Sequence, residues 1–267
     1  MNGNPLTGRH AVVLTSVTKT YGAGSRTVTA LDGVTLAFRR AALTAVMGPP
    51  GAGKSTLLRC AAGLEHPDSG SIRHGTTELA HLAPRPLSAL SRARIGFVFQ
   101  RDNLVPVLTA GQNVAVRLLL ARRSPLDGEV SRALAQVGLV DRARHRPAEL
   151  SSAQRRRVAL ACALVTRPDV LFCDEPTGSL DSAAERGVLA LLRSLVDHCG
   201  QTVVMSTGDP VVASHADRVV FLDDGRFTGQ LGGRPTARHI DRETDRQRSA
   251  MKRATPGTPC SSSRNSM

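Results

Sequence analysis

Short apolar runs alternate with polar segments along most of the chain and predict an α/β domain. Such runs, bounded by polar or turn residues, are typical of strands that are buried in a sheet. The predicted strands span residues 11–17, 34–38, 43–47, 95–99, 170–173, 202–206 and 218–222. Helical spacing occurs at residues 56–62 and 182–198. Because strands and helices alternate, we expect a mainly parallel sheet that is covered by helices.

Two regions depart from this alternation. Residues 101–167 consist of Ala, Leu and Arg segments with helical spacing, broken at Ser124-Pro125, Gly138 and Arg146-Pro147, and predict a helical subdomain. From residue 233 onward apolar periodicity almost disappears, which predicts a disordered basic tail over residues 233–267. We therefore expect one domain over residues 11–232, preceded by a flexible N-terminus over residues 1–10.

The composition narrows the range of partners. The chain has 267 residues and a formal net charge of +13, and almost all of its basic residues are Arg. With one Tyr and no Trp, it lacks the aromatic platform on which single-stranded nucleic acid stacks. We expect the Arg residues to form a solvated face and expect no nucleic-acid partner, with an anionic lipid surface or RNA as an open alternative.

Cysteine usage and hydropathy predict a cytoplasmic location. The five Cys residues are odd in number and contain no Cys-x-x-Cys pair, which is typical of a reducing compartment. No charged leader followed by a long apolar segment is visible. The longest apolar run, residues 158–165, is far shorter than the ~20 residues that cross a bilayer.

The strongest chemical signal is a glycine-rich loop between the strand at residues 43–47 and the helix that follows. It reads Gly48-Pro49-Pro50-Gly51-Ala52-Gly53-Lys54-Ser55 and is followed by Thr56. Glycines let successive backbone N–H groups point at phosphate oxygens, and the helix adds its positive N-terminal end. We expect Lys54 to reach the β- and γ-phosphates and the Ser55 hydroxyl to bind Mg²⁺. The alternative is a chance glycine-rich turn.

A second signal is the pair of carboxylates that follows the strand at residues 170–173. Asp174 and Glu175 stand at its C-terminal end, where open α/β sheets bind their ligands. Asp174 is expected to hold Mg²⁺ through water, and Glu175 to polarise the attacking water as a general base. Each carboxylate alone could equally be a helix cap or a loop charge.

The order of motifs resembles the ATP-binding subunit of ABC transporters. The phosphate loop is followed by Gln100 after a strand, by Leu150-Ser151-Ser152-Ala153-Gln154, by Asp174-Glu175 and by Ser179-Leu180-Asp181. Residues 95–100, 174–181 and 216–220 are most similar to the branch that serves macrolide exporters and lipoprotein-release systems. The resemblance covers about residues 11–231 and implies a P-loop NTPase of ABC ATPase type, with an antiparallel β part and a helical subdomain.

The resemblance also implies roles for single residues. Tyr21 would stack on adenine, with an exposed loop aromatic as the alternative. Gln100 would touch Mg²⁺ and the attacking water, with a polar strand terminus as the alternative. Ser151, Ser152, Ala153 and Gln154 would present a helix N-terminus to the γ-phosphate of a second subunit. Asp181 would lie at the same dimer seam, where a solvated Asp at a helix start is the alternative.

Two segments depart from the family pattern. In residues 150–154, which we call the signature segment, Ser152 and Ala153 stand where the family usually has glycines. Each adds a Cβ where the backbone approaches phosphate. Thr207-Gly208-Asp209 stands where the family has Thr-His-Asp, so the switch histidine is missing. His198 and His215 do not occupy the motif position. We therefore expect ATP to bind well and to turn over slowly.

The resemblance therefore implies an ATP-driven motor subunit of exporter type. It would bind ATP and Mg²⁺, dimerise with a second ATP-binding subunit, either identical or different, and act on a separate multi-span membrane permease at the inner face of the cell membrane. An ABC-type switch protein without transport is the alternative. A P-loop kinase or GTPase is disfavoured because no Asn-Lys-x-Asp sequence is present.

Overall fold

The computed structural model describes residues 8–22, 24–79, 82–125 and 128–254. Its strands lie in two sheets, and their bounds follow in chain order. They are β1 (His10–Tyr21), β2 (Val28–Arg39), β3 (Leu43–Met47), β4 (Ser69–His74), β5 (Thr77–Glu78), β6 (Ile95–Val98), β7 (Val170–Asp174), β8 (Thr202–Thr207), β9 (Arg218–Asp223) and β10 (Arg226–Gly232).

The helices cover both faces of the larger sheet. They are α1 (Lys54–Ala61), α2 (Pro84–Arg94), α3 (Ala110–Leu120), α4 (Glu129–Gln136), α5 (Ser152–Leu164), α6 (Ser182–Cys199), α7 (Pro210–Ala213) and α8 (Ala237–Ala254). Short 3-10 turns occur at Gly24–Arg26, Val140–Arg142 and Pro147–Glu149. Within the described ranges, every helix is too short or too polar to cross a bilayer.

The larger sheet has the strand order β10-β9-β3-β8-β7-β6 and is parallel except for its β10 edge. The smaller sheet, in the order β2-β1-β4-β5, is antiparallel. The predicted fold class, a mainly parallel core with an antiparallel part, is therefore confirmed. The carboxyl ends of β3, β7 and β8 meet at one edge of the parallel sheet, and this edge carries the candidate site.

Strand β3 is buried along its whole length and divides the core into two layers. Leu43, Ala45 and Met47 pack on the side of α3, α5, α6 and α8, whereas Val46 packs on the side of α1 and the antiparallel sheet. This alternation follows from the period of two along a strand. Because both faces are covered, four of the five residues of the strand are apolar, and the fifth, Thr44, is buried as well.

Helices α3, α4 and α5 pack against one another within the predicted helical subdomain. The loop that enters it is fixed by Asn113, whose side chain accepts from the Val105 N–H and donates to the carbonyls of Val105, Leu108 and Thr109. Four hydrogen bonds from one buried amide leave this loop little freedom.

The prediction of a disordered tail over residues 233–267 is wrong for residues 237–254, because they form α8. Ile240 is fully buried in the core, and Arg234 pairs with Asp217 and Asp197 just before the helix. Residues 255–267 lie outside the described residues. At the other end, the expected flexible N-terminus over residues 1–10 is too long, since His10 already belongs to β1, while residues 1–7 are outside the described ranges.

Candidate nucleotide-binding site

The phosphate loop connects β3 to α1, and its backbone approaches neighbouring segments very closely. A Cβ on Gly53 would lie 2.1 Å from the Ala30 carbonyl oxygen, and Gly53 has a φ of 93°. A Cβ on Gly48 would lie 2.1 Å from the Leu222 carbonyl oxygen. Both positions therefore require glycine, one for close approach alone and the other also for its left-handed conformation.

Lys54 is the first residue of α1, and its side chain folds back over the loop. Its Nζ donates to the carbonyl oxygens of Gly48 at 2.8 Å and of Pro49 at 2.9 Å. The residue is 7% exposed, and burial lowers its pKa, while Glu175 and Asp174 act in the opposite direction. The ammonium group thus lies inside the predicted phosphate cradle and within the field of both carboxylates.

Asp174 joins the phosphate loop to the sheet. Its Oδ1 accepts from the Ser55 hydroxyl at 2.9 Å and from the Ser206 hydroxyl at 2.7 Å, and the residue is 5% exposed. Ser206 pairs with Asp174 across β7 and β8. Sequence reasoning did not select Ser206, although a hydroxyl at the carboxyl end of a strand was a visible signal.

The side chains of Glu175 and Gln100 are hydrogen-bonded to each other. The Gln100 side-chain amide donates to Glu175 Oε2 at 2.8 Å, and the Glu175 backbone N–H donates to Ser206 Oγ at 2.9 Å. Glu175 has a φ of 46°, a left-handed conformation that is unfavourable for a residue with a side chain. Strain of this kind is found preferentially at functional sites, where the surroundings hold it.

Arg156 on α5 is a second residue that sequence reasoning missed. It is 4% exposed and donates to the carbonyl oxygens of Phe99 and Gln100, each at 2.7 Å. It also pairs with Asp102 at 3.3 Å. Arg156 is the middle one of three consecutive arginines in α5, Arg155 to Arg157. The sequence therefore did not show which of them holds the Gln100 segment against the helical subdomain.

Tyr21 lies at the end of β1 beside the start of α1. Its hydroxyl donates to Glu65 and lies 3.4 Å from Thr56 Oγ1, and the residue is 39% exposed. The pKa of Tyr21 is raised, first by burial and then by its contact with Glu65. An exposed ring is thus held next to the helix that follows the phosphate loop.

The signature segment and Asp181 form helix caps. Ser151 accepts from the Gln154 N–H at 3.2 Å, and Gln154 accepts from the Ser151 N–H at 2.9 Å, which caps α5. Asp181 accepts from the backbone N–H groups of Ala183 and Ala184 and caps α6. Among the described residues, no hydrogen bond joins either cap to the phosphate loop of the same chain. The expected contacts across a dimer seam are therefore not made within one chain.

Gly208 follows β8 and leaves open space where the resemblance expects a histidine. A Cβ at this position would have one neighbour within 4 Å, the Gly48 carbonyl oxygen at 3.8 Å. The two nearby histidines are engaged elsewhere: a His198 ring nitrogen contacts Ser194, and a His215 ring nitrogen contacts the Val211 carbonyl. Neither takes the place of the missing side chain.

The oxygen atoms at this edge of the sheet fit Mg²⁺ bound together with a nucleotide. The Ser55 hydroxyl and the Asp174 carboxylate lie 2.9 Å apart, and the Gln100 amide lies beside Glu175. Mg²⁺ prefers such oxygen ligands and usually binds through one or two carboxylates and substrate phosphates. Within the described ranges, no group of three His, Cys, Asp or Glu residues could hold a metal by itself.

A phosphate loop, a paired carboxylate strand and a helical subdomain on a parallel sheet define a P-loop ATP-binding cassette. A family model described as "ABC transporter" matches residues 31–178. The chain therefore belongs to the ABC transporter family, whose ATP-binding domains hydrolyse ATP.

Curated relatives extend this result. The chain is 42% identical over 219 residues to the macrolide export ATP-binding/permease protein MacB of Burkholderia thailandensis. The aligned region covers 81% of this chain and 33% of that protein. The chain is also 37% identical over 231 residues to the lipoprotein-releasing system ATP-binding protein LolD of Chromohalobacter salexigens, covering 85% of this chain and 98% of that protein. The chain spans about a third of the length of the MacB relatives that it matches.

Solved structures show the same fold. The dimeric post-hydrolysis structure of the ATP-binding cassette MJ0796 bound to ADP and Pi has a TM-score of 0.77 and 35% sequence identity, and it covers 84% of this chain and 99% of that one. MJ0796 is an uncharacterized ABC transporter ATP-binding protein of Methanocaldococcus jannaschii, 38% identical over 220 residues. The structural likeness thus agrees with the family assignment.

Proposed function

We propose that this chain is the ATP-binding motor of an ABC transporter, in which ATP binding and hydrolysis drive a membrane permease. The observation that carries the proposal is the convergence of Lys54, the Ser55–Asp174–Ser206 contacts and the Gln100–Glu175 pair at one edge of the sheet. This arrangement offers a cation, oxygen ligands and a general base side by side.

Each group has a distinct role in the proposed reaction. Lys54 binds the β- and γ-phosphates, assisted by the backbone of residues 48–53 and by Thr56, and Tyr21 stacks on the adenine. Ser55, Gln100 and, through water, Asp174 would hold Mg²⁺, which would neutralise charge on the phosphate oxygens. Glu175 accepts the proton of the attacking water, and the Gln100 amide fixes the orientation of the Glu175 carboxylate.

A second ATP-binding subunit completes each site in this proposal. Ser151 to Gln154 open α5, whose exposed N-terminus favours an anion such as the γ-phosphate of the opposite subunit. Asp181 lies at the start of α6 and contributes to the same seam. MJ0796, which shares the fold, forms a dimeric structure.

The permease is proposed to dock in a groove beside Gln100. A cavity of about 210 Å³ lies between the loop at residues 102–105, α3 and α5. Its wall includes Phe99, Val105 and Leu120, which are 38%, 42% and 52% exposed. Apolar side chains at this exposure favour a partner surface. The MacB relatives are ATP-binding/permease proteins, and we place this chain at the inner face of the cell membrane.

Co-purification of the chain from detergent-solubilised membranes tests this function. We expect the wild-type chain to carry a multi-span membrane protein, identified by mass spectrometry, and to lose it in Val105→Asp or Leu120→Asp. Val140→Asp is the matched control, because Val140 is 49% exposed but does not line the groove. Recovery with ribosomes or DNA and never with a membrane protein would favour the alternative of an ABC-type switch protein.

A further inference from the structure

The C-terminal helix α8 reaches the nucleotide site from the face of the sheet opposite to α1. Its entry is fixed by Arg234, which pairs with Asp217 at 3.0 Å and with Asp197 at 3.2 Å. One turn into the helix, Ile240 is fully buried in the core layer on this face. The helix is therefore docked by an ion-pair network at its start and by apolar burial after it.

Gln247 attaches the next turns of α8 to the edge strand β10. Its Oε1 accepts from the Thr228 hydroxyl at 2.8 Å, and its Nε2 donates to Glu243 Oε1 at 3.2 Å. A Cβ on Gly229 would lie only 2.8 Å from Gln247 Nε2. The glycine thus leaves room for the Gln247 amide, which a larger residue at this position would displace.

This docking places α8 next to the phosphate loop. A cavity of about 120 Å³ lies between the helix and the loop, and we name it the switch cavity. Its walls include Gly48, Pro49 and Pro50 from the phosphate loop, Gly208, and Thr244 and Gln247 from α8. Gly208 has no side chain with which to hold its own loop, and the polar side chains that line the cavity come from Asp223 of β9 and from Thr244 and Gln247 of α8.

We propose that α8 supports the nucleotide site from one side and that Gln247 is a positioning residue for ATP turnover. By fixing the wall of the switch cavity, Gln247 limits the movement of the Gly208 loop and of the first residues of the phosphate loop. The family model ends at residue 178 and does not include this helix. The inference rests on the proposed ATP hydrolysis and adds a residue outside the family motifs.

A double-mutant cycle between Gly208 and Gln247 tests the proposal. Steady-state ATP hydrolysis is measured for the wild-type chain, Gln247→Ala, Gly208→His and the double variant. We expect Gln247→Ala to lower kcat ~2- to 30-fold, the range of couplings carried through packed elements, with little change in KM for ATP. The effects of the two changes should not add, because both alter the same cavity.

Two further variants separate positioning from a loss of fold. Asp245→Ala changes an exposed residue of the same helix and should leave kcat unchanged. Its effect should add to that of Gly208→His. The double variant Glu243→Gln/Gln247→Glu exchanges amide and carboxylate, keeps an acceptor for Thr228 and should restore most of kcat. Unchanged kcat in Gln247→Ala, or strict additivity with Gly208→His, would overturn the proposal.

Failure of the proposed function gives a different result. A wild-type chain that binds no ATP refutes the motor itself, whatever α8 does. Where ATP binds but turnover is too slow to measure, hydrogen exchange of ATP-bound protein replaces kcat. Gln247→Ala should then increase amide exchange at residues 207–209, at Gly48 and at residues 51–53, and Asp245→Ala should not. Equal exchange in the wild type and in Gln247→Ala would also overturn the proposal.

Discussion

Asp174 is the residue at which three elements of the site meet. It ends β7, and one of its oxygens accepts from Ser55 on α1 and from Ser206 on β8. A buried carboxylate with two hydroxyl donors on one oxygen is well held, because hydrogen bonds to a charged acceptor are stronger than neutral ones. Ser206 also accepts from the Glu175 N–H, so the same hydroxyl supports both carboxylates.

Lys54→Ala should abolish or strongly weaken ATP binding. The ammonium group lies inside the phosphate loop, and its removal leaves phosphate charge without a charge-assisted hydrogen bond, a loss of about 1.5–3 kcal/mol or more. Isothermal titration calorimetry measures the affinity, and an unchanged melting temperature serves as the control for folding. Equal ATP affinity in both proteins would contradict the role given to Lys54.

Gly208→His should raise the rate of ATP hydrolysis. The open space around Gly208 accepts a side chain, and a positioned group beside the γ-phosphate contributes ~10²–10⁴-fold to such reactions. Steady-state turnover is compared with that of Glu175→Gln, which should stay inactive with or without the histidine. A wild-type rate that Gly208→His does not increase would show that other residues already compensate.

Among the elements, helix α8 shows why the sequence wrongly predicted a disordered tail from residue 233 onward. Ile240 is its one fully buried apolar residue among the described side chains, and its other inward contacts are made by Thr244 and Gln247. A helix held by one apolar anchor, ion pairs and side-chain hydrogen bonds has few apolar positions by which the sequence could mark it. Its Arg-rich composition is then indistinguishable from that of a disordered tail.

Ile240→Ala should destabilise the protein by about 2–5 kcal/mol, the range for truncating a fully buried aliphatic side chain. Arg242→Ala on the exposed side of α8 is the matched control and should stay within about 0.5 kcal/mol of the wild type. Urea unfolding gives both free energies. A cost as small as that of Arg242→Ala would mean that α8 does not pack on the core in solution.

Asp68, which precedes β4, should make the link between β1 and β4 sensitive to acid. Hydrogen bonds from the Thr20 hydroxyl, the Thr20 N–H and Lys19 lower its pKa from 3.8 to about 2. Because the folded-state pKa is depressed, its contribution is present above the unfolded-state pKa and is lost as the pH falls through about 4 to 2. Asp68→Asn should weaken this acid dependence, measured by unfolding at pH 7 and pH 3. An identical pH dependence in the two proteins would contradict it.

For the whole molecule, the sequence predicted what lies in contiguous motifs and missed what is assembled from distant segments. The functional residues of each motif, residues 48–55 and 174–175, are adjacent in the sequence. They could therefore be recognised there, and together they predicted one site on a parallel sheet. Ser206 and Arg156 reach the same site from β8 and α5. Their roles depend on strand order and on which of several arginines is buried, which only the packed structure defines.

The molecule should dimerise when ATP is bound and hydrolysis is blocked. Ser151 and Asp181 cap their own helices and make no hydrogen bond to the phosphate loop of the same chain within the described ranges, so their proposed phosphate contacts require a second subunit. Glu175→Gln with Mg·ATP should form a dimer by light scattering, and Ser151→Arg in that background should return it to a monomer that still binds ATP. Because Ser152 and Ala153 add Cβ atoms where glycines allow close approach, we expect the dimer to be weakened, and the measurement is made over a range of protein concentrations. A Glu175→Gln protein that binds ATP yet stays monomeric at every concentration would exclude a homodimer and direct the search to a different ATP-binding partner.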